Sequence, residues 1–210
     1  MPFSSGQPDS WGLLRASRHG NDSALSRLLE LHLPALRAFV RLNVNSFLRA
    51  RESCSDLLQS ACREVLENPG SIELQGERSF RNWLYGAVLQ KIRSRELYYR
   101  TQKPDPDREP ALDRSGDERD DALPTCYASM VSPGRVAIAR EELVRVEAAF
   151  DQLTAQQRKV LTLSRIVGLS HTEIATMMDK SALAVRSLLH RALARLSSIL
   201  EGLEESEAES

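Results

Sequence analysis

Apolar residues in this chain return at helical spacing wherever they cluster, and no run alternates convincingly enough to make a strand. Cys54, Leu57, Leu58, Ala61, Cys62, Val65 and Leu66 recur at i, i+3, i+4, i+7 and i+8, the single apolar face of an amphipathic helix. Asn68-Pro69-Gly70 ends that pattern. Upstream, residues 23–50 are richly apolar, with Pro34 either starting a helix or kinking one, and a weaker segment surrounds Trp11–Ser17. Ser79 stands where it can cap a further helix whose Phe80, Trp83, Leu84, Ala87, Val88 and Ile92 share one face. From about Thr101 to Gly134 the periodicity collapses. Pro104, Pro106, Pro110, Pro124 and Pro133, set among many acids, describe a linker that cannot bury enough to fold by itself. Fully extended, its ~33 residues reach ~110 Å. Helical period resumes near Arg135–Phe150, and Thr154 with Gln157 forms a capping box that opens a helix over Ala155–Ile166.

Residues 168–196, GLSHTEIATMMDKSALAVRSLLHRALARL, predict two helices meeting at a tight turn. Ser170 and Glu173 make a second capping box, and Gly168 sits where the preceding helix needs a left-handed residue. Ile174, Ala175 and Met178 face one way, and Asp179-Lys180-Ser181 breaks the helix. Ser181 caps the next, whose Val185, Leu189, Ala192 and Leu196 fall at helical spacing. Arg186, Ser187, His190 and Arg191 occupy the opposite side, each able to donate a hydrogen bond. This fits a helix-turn-helix, although spacing alone fits an αα-corner equally well.

Charge changes the picture more than composition does. The net charge of −1 advertises no global attraction for nucleic acid. Residues 77–103, however, hold seven Lys/Arg against two acids, roughly +5, and residues 151–200 reach roughly +4. Residues 104–122 come to roughly −5 and the stretch after Gly202 is acidic, so two basic blocks flank an acidic connector. Cys54, Cys62 and Cys126 lack metal-ligand spacing; the first two belong to an apolar helical face, which favours a reduced, cytoplasmic setting. No apolar run approaches the ~18 residues of a membrane span, and the N-terminus has no basic-then-apolar export signal. His19, His32, His171 and His190 are scattered, and there is no phosphate-cradling glycine loop, zinc-protease motif or nucleophile elbow. The expectation is a non-enzymatic protein with neither cofactor nor metal.

Two stretches carry candidate chemistry beyond the helix pair. Residues 80–100 interleave aromatics with cations, a mixture that suits single-stranded nucleic acid, whose backbone is tracked by cations and whose bases stack on rings. For Phe80 and Trp83 alone a core role is the favoured reading; for Lys91, Arg93, Arg95 and Arg100 together a binding surface is. Ser55-Asp56-Leu57-Leu58-Gln59 puts a carboxylate and an amide at the start of one helix. Spacing alone favours a helix-dipole or capping role for Asp56 over a docking edge.

In order along the chain, Asp56-Leu-Leu-Gln59, Phe80-Arg-Asn-Trp-Leu-Tyr85, a variable linker, Leu-Thr-x-Gln-Gln-Arg-x-Val-Leu at 153–161, Gly-Leu-Ser-x-x-Glu-Ile-Ala at 168–175 and His190-Arg-Ala192 together resemble the extracytoplasmic-function (ECF) sigma factors of bacterial RNA polymerase, members of the sigma-70 superfamily. The resemblance covers most of the chain. It implies an all-α fold: region 2 over 8–103, an acidic linker over 104–134, region 4 over 135–200 and an acidic tail over 201–210. It also implies promoter-directed transcription initiation in the cytoplasm. Asp56, Leu57, Leu58 and Gln59 would dock on the β′ clamp helices. Trp83, Gln90, Lys91, Arg93 and Arg95 would serve the −10 element and its melting. The linker would run through the active-site cleft toward the RNA exit channel. Region 4 would sit on the β flap, with Lys180, Arg186, Ser187, His190 and Arg191 on the −35 element. Partners are then core polymerase and promoter DNA, with an anti-sigma factor as a further one and no membrane insertion.

Ser60 replaces the acid that usually follows the docking motif, Ala184 and Leu188 replace a threonine and an arginine of the recognition helix, and Gln90 stands where an asparagine often reads a base. These departures bear on which promoter is read. Two other readings of the same residues are a stand-alone helix-turn-helix regulator and a helical adaptor that binds only protein.

Overall fold

A computed structural model describes residues 12, 13, 16, 22–67, 77–101 and 140–208. The linker and Cys126 lie outside the described residues. Every regular element described is a helix, in accord with the all-α expectation. The N-terminal half contains α1 (Asp22–Asn43), the single turn α2 (Ser46–Arg49), α3 (Cys54–Glu67) and α4 (Glu77–Thr101). Pro34 lies inside α1, so the helix carries through it. Asn45 caps α2 by accepting from the Leu48 amide at 2.9 Å, and the Ser53 hydroxyl accepts from the Asp56 amide at 3.0 Å, opening α3. α4 begins at Glu77, so Ser79 falls within its first turn and is not its cap. The predicted apolar faces of α3 and α4 meet α1: Leu57, Leu58, Ala61, Phe80, Leu84 and Val88 are buried, and Tyr85 sets its ring edge on Phe39 with centroids 4.9 Å apart.

The C-terminal half contains α5 (Arg140–Asp151), α6 (Ala155–Arg165), α7 (His171–Met178) and α8 (Ala182–Ala208). Phe150, Val160, Leu161, Leu163, Ile174, Val185, Leu189 and Ala192 fill its interior. The two halves do not stand apart. α1 packs on α5 and α6, and the first half of α4 packs on α7, so the buried apolar residues of both halves form one connected core. Several polar contacts cross the seam. Arg41 grips Glu147 with both Nε and Nη2, at 2.6 and 3.0 Å, and Arg49 pairs with Asp151. Asn43 donates to the Thr162 hydroxyl at 3.0 Å, and Arg81 donates to the Val167 carbonyl at 3.2 Å.

Candidate nucleic-acid and docking surfaces

The helix-turn-helix is built by its caps. Thr154 and Gln157 exchange hydrogen bonds at the start of α6, the backbone amide donating to the Gln157 amide oxygen at 2.9 Å. α6 ends before Gly168, whose φ of +74° lets the chain reverse without a Cβ in the way. Ser170 and Glu173 then close the second box: the Ser170 amide donates to the Glu173 carboxylate at 2.7 Å, and the Glu173 amide donates back to the Ser170 hydroxyl at 3.3 Å. Partial burial alone would raise the Glu173 pKa. The hydrogen bonds from Ser170, aided by the Asn82 amide and the Arg78 charge, hold it below its usual value. α7 ends on Asp179 in a left-handed conformation, φ 53°, and the Ser181 hydroxyl accepts from the Ala184 amide at 3.1 Å to start α8.

These caps turn one face of α8 inward and the other out. Val185, Leu189, Ala192 and Leu196 are buried, whereas Arg186, Ser187, His190 and Arg191 are exposed, with Lys180 exposed in the turn. Leu188 is half-buried against the core, so the position where the related helices have an arginine is turned partly inward here. Leu183 was not singled out by the sequence. It is 73% exposed in the first turn of α8, four residues before Ser187 and seven before His190. An exposed leucine two residues from a helix start was visible in the sequence as an apolar residue off the apolar spacing.

The aromatic and cationic face of α4 is arranged differently. Phe80 is wholly buried, which fits the core reading, and half-buried Trp83 lies 6.1 Å from it between ring centroids. Gln90 and Arg93 are exposed. Lys91 donates to Glu64 at 3.2 Å. Arg95 is gripped by Glu52 through two bonds of 2.7 and 2.9 Å; the Glu52 hydrogen bond is the main cause that raises its pKa. Glu52 is buried, so Arg95 first of all neutralises a carboxylate inside the fold. Trp83, Gln90 and Lys91, with Glu64, Val65, Ala87 and Ser94, line a hollow of about 360 Å³. On its other side α4 opens onto a cleft of about 890 Å³, where Trp83, Gln90 and Arg93 meet Lys159, Met177 and Lys180 of the C-terminal half. Lys159 donates to the Met177 carbonyl at 3.2 Å; burial, then the Arg93 charge, lowers its pKa.

At the start of α3, Asp56 and Gln59 are exposed, while Leu57 and Leu58 are buried in the core. Of the four residues expected to dock, the fold thus leaves the two polar ones at the surface. Among the described residues no group of His, Cys, Asp and Glu is arranged to hold a metal ion, and no helix is long and apolar enough to cross a membrane.

The family model of sigma-70 region 4 matches residues 143–196, which span most of α5 through the buried Leu196 of α8. The ECF RNA polymerase sigma factor SigD of Mycobacterium tuberculosis is 29% identical over 177 residues, 84% of this chain and 77% of that protein. The RNA polymerase sigma factor CnrH of Cupriavidus metallidurans is 28% identical over 186 residues, 87% of this chain and 89% of its own length. The fold is shared with CnrH as solved in complex with the cytosolic domain of CnrY, at a TM-score of 0.61 and 24% identity over 92% of this chain and 99% of that one. It is shared too with the sigma factor RpoE of Bartonella quintana in complex with the anti-sigma factor NepR, at a TM-score of 0.59 and 21% identity over 84% and 96% of the two chains. With five motifs in family order, the chain is similar over most of its length to ECF RNA polymerase sigma factors, and residues 143–196 match sigma-70 region 4.

Proposed function

We propose that this chain binds core RNA polymerase in the cytoplasm and directs it to promoters, with region 2 and the −10 element in the N-terminal half and region 4 and the −35 element in the C-terminal half. The capped helix-turn-helix carries this reading: its second helix presents Arg186, Ser187, His190 and Arg191 outward on a rigid core. Such a helix enters the major groove by its N-terminal end, where arginine grips guanine or phosphate. Leu183, exposed on the first turn, matches a thymine methyl group by apolar contact. Asp56 and Gln59 dock on the β′ clamp helices. Trp83, Gln90, Lys91 and Arg93 take the −10 strand, with the hollow beside Gln90 as the seat for an unstacked base. Arg95 supports this surface through Glu52. The chain itself performs no catalysis, and an anti-sigma factor that covers either DNA surface would silence it.

The test is run-off transcription by core polymerase on fragments of the source genome, with and without the protein. Discrete new transcripts support the reading. Absence of any protein-dependent start, together with failure to co-purify with core polymerase, would overturn it. The Asp56→Ala, Gln59→Ala double variant should lose core binding while keeping wild-type helicity.

A further inference from the structure

The cleft of about 890 Å³ beside α4 carries a charge pattern that promoter recognition leaves unexplained. Three cations reach its wall: Arg93 from α4, Lys159 from α6 and Lys180 from the turn after α7. None of the three meets a carboxylate among the described residues. Glu96, the one carboxylate among the described lining residues, already accepts from Asn45 at 2.6 Å and from Arg100 at 2.9 Å. Lys159 is the hardest to account for. It is half-buried, and burial, then the Arg93 charge, disfavours its ammonium form. The Met177 carbonyl that accepts from it at 3.2 Å supplies no opposing charge. Neither promoter surface gives this lysine a role.

Much of the remaining wall is apolar. Trp83 from α4 and Met177 and Met178 from α7 are half-buried in it. An indole and two thioethers are polarisable surfaces against which a flat ring packs. Ala155 and Gln156, in the first turn of α6, belong to the same wall, so the positive end of that helix adds to the field of the cations. A concave apolar wall with a few charged groups of one sign is the ordinary form of a small-molecule site. A simple anion would satisfy the cations and leave the apolar wall wet. An uncharged ring would leave Lys159 uncompensated. A ligand with both parts uses the whole cleft.

We propose that this cleft binds a purine nucleoside diphosphate or triphosphate, with the phosphates on Arg93, Lys159 and Lys180 and the base against Trp83 and Met177. A nucleoside diphosphate carries about three negative charges near neutral pH, which matches the three cations. The binding site needs only the free chain. Its consequence rests on the sigma reading: a nucleotide seated there covers Trp83, Gln90 and Arg93, so the nucleotide and the −10 strand exclude each other.

The experiment titrates the full free chain with ADP and with GDP by calorimetry, against adenosine, pyrophosphate and an acidic peptide of residues 104–122. A Trp11→Phe background leaves Trp83 as the only indole, so quenching of its fluorescence reports contact with the base. ADP or GDP should bind saturably, quench Trp83, and bind about tenfold or more tightly than adenosine or pyrophosphate. Lys159→Gln and Arg93→Gln should each weaken that binding about tenfold. Arg93 is exposed, so its variant guards against a folding failure at Lys159, and circular dichroism checks helicity in both. No saturable binding of either nucleotide at millimolar concentration would overturn the site. So would wild-type affinity in both folded variants. Pyrophosphate or the peptide binding as tightly as ADP would overturn it too, because the cleft would then answer to charge alone. For the consequence, the chain is incubated with ADP before core polymerase is added, and run-off transcripts from genomic fragments are counted. ADP should lower the yield with wild type and spare Lys159→Gln. Equal yields would overturn the competition. A wild type that binds ADP and initiates nothing counts against the sigma reading alone.

Discussion

The cations of α8 and those of α4 face solvent under opposite conditions. Arg186 and Arg191 stand on an exposed helix face, where Arg191 donates only to the Ser187 carbonyl one turn back, and no carboxylate pairs with either among the described residues. On α4, Lys91 is paired with Glu64, Arg95 with Glu52 and Arg100 with Glu96. The first surface can take a phosphate at no cost in lost partners. The second must trade a carboxylate for a phosphate, or leave binding to Arg93. A shared basic charge therefore conceals two arrangements: on α8 it faces solvent uncommitted to a carboxylate among the described residues, and on α4 much of it holds the fold together. The aromatic rings repeat the lesson, because Arg95 lies 5.5 Å from both the Tyr98 and Tyr99 rings while it serves Glu52.

Arg95 should give the largest effect. Truncating it to alanine strands the Glu52 carboxylate in the interior, and breaking a buried pair in this way costs about 2–4 kcal/mol, discounted for the partial exposure of Arg95. Urea unfolding of Arg95→Ala measures it directly. A loss under about 1 kcal/mol would return Arg95 to the binding surface and erase half of the contrast.

The same half should also be the one that acid loosens. His32 packs against Phe80 with centroids 5.6 Å apart, and burial, followed by the Arg81 charge, lowers its pKa to about 4 from an ordinary 6.5. The folded chain thus keeps the ring neutral where the unfolded chain protonates it. Stability is full above pH 6.5, falls as pH drops from 6.5 to about 4, and levels below that, by about 1–3 kcal/mol in all. His32→Leu should flatten this slope in unfolding curves taken from about pH 5.5 to 6.5, where an unfolded glutamate is still mostly ionised and Glu173 adds little.

How much of this was legible in the sequence follows from the range of each interaction. The capping boxes at Thr154 and Ser170, the Ser181 cap and the Gly168 reversal involve residues three or four apart, so residue type and spacing predicted them. The apolar faces of α3 and α4 were legible for the same reason. Which cations were spoken for was not. Glu52 and Arg95 are 43 residues apart and Arg41 and Glu147 are 106 apart, and no periodicity links them. Leu57 and Leu58 were grouped with a docking motif, although the same helical spacing already assigned them to the core face. Leu183 is not legible from periodicity, because an exposed apolar residue breaks the pattern that makes helices visible.

On α8 the expected effects fall on binding, not on folding. Arg186→Ala should leave stability within about 0.5 kcal/mol while weakening duplex binding by about 1–3 kcal/mol if it reads a base, or flattening the salt slope by about one if it grips phosphate. Leu183 allows a finer test. Replacing thymine by uracil in the −35 duplex removes only a methyl group, so wild type should lose affinity at one position and Leu183→Ala should not. Equal sensitivity of both proteins to the replacement would assign the leucine no part in reading.

The smallest effect probes the comparison itself. Glu64 is mostly exposed, with a side chain 62% accessible, and its pair with Lys91 spans 3.2 Å at the surface. Exposed pairs of this kind contribute about 0.2–1 kcal/mol, so Glu64→Gln should barely move the unfolding midpoint. Its effect on binding should have the opposite sign to most surface substitutions. Removing the carboxylate releases the Lys91 ammonium beside the hollow that Trp83 and Gln90 line, where a strand phosphate would otherwise compete with Glu64 for it. Holoenzyme carrying Glu64→Gln should therefore bind a single-stranded −10 oligonucleotide more tightly, with a salt slope steeper by about 0.7, the value for one added phosphate contact on a single strand. The double variant Glu64→Gln, Lys91→Gln should lose that gain, because the released cation is the whole of it. An unchanged slope in the single variant would mean that Lys91 never meets the strand, and would leave that contact on α4 to Arg93.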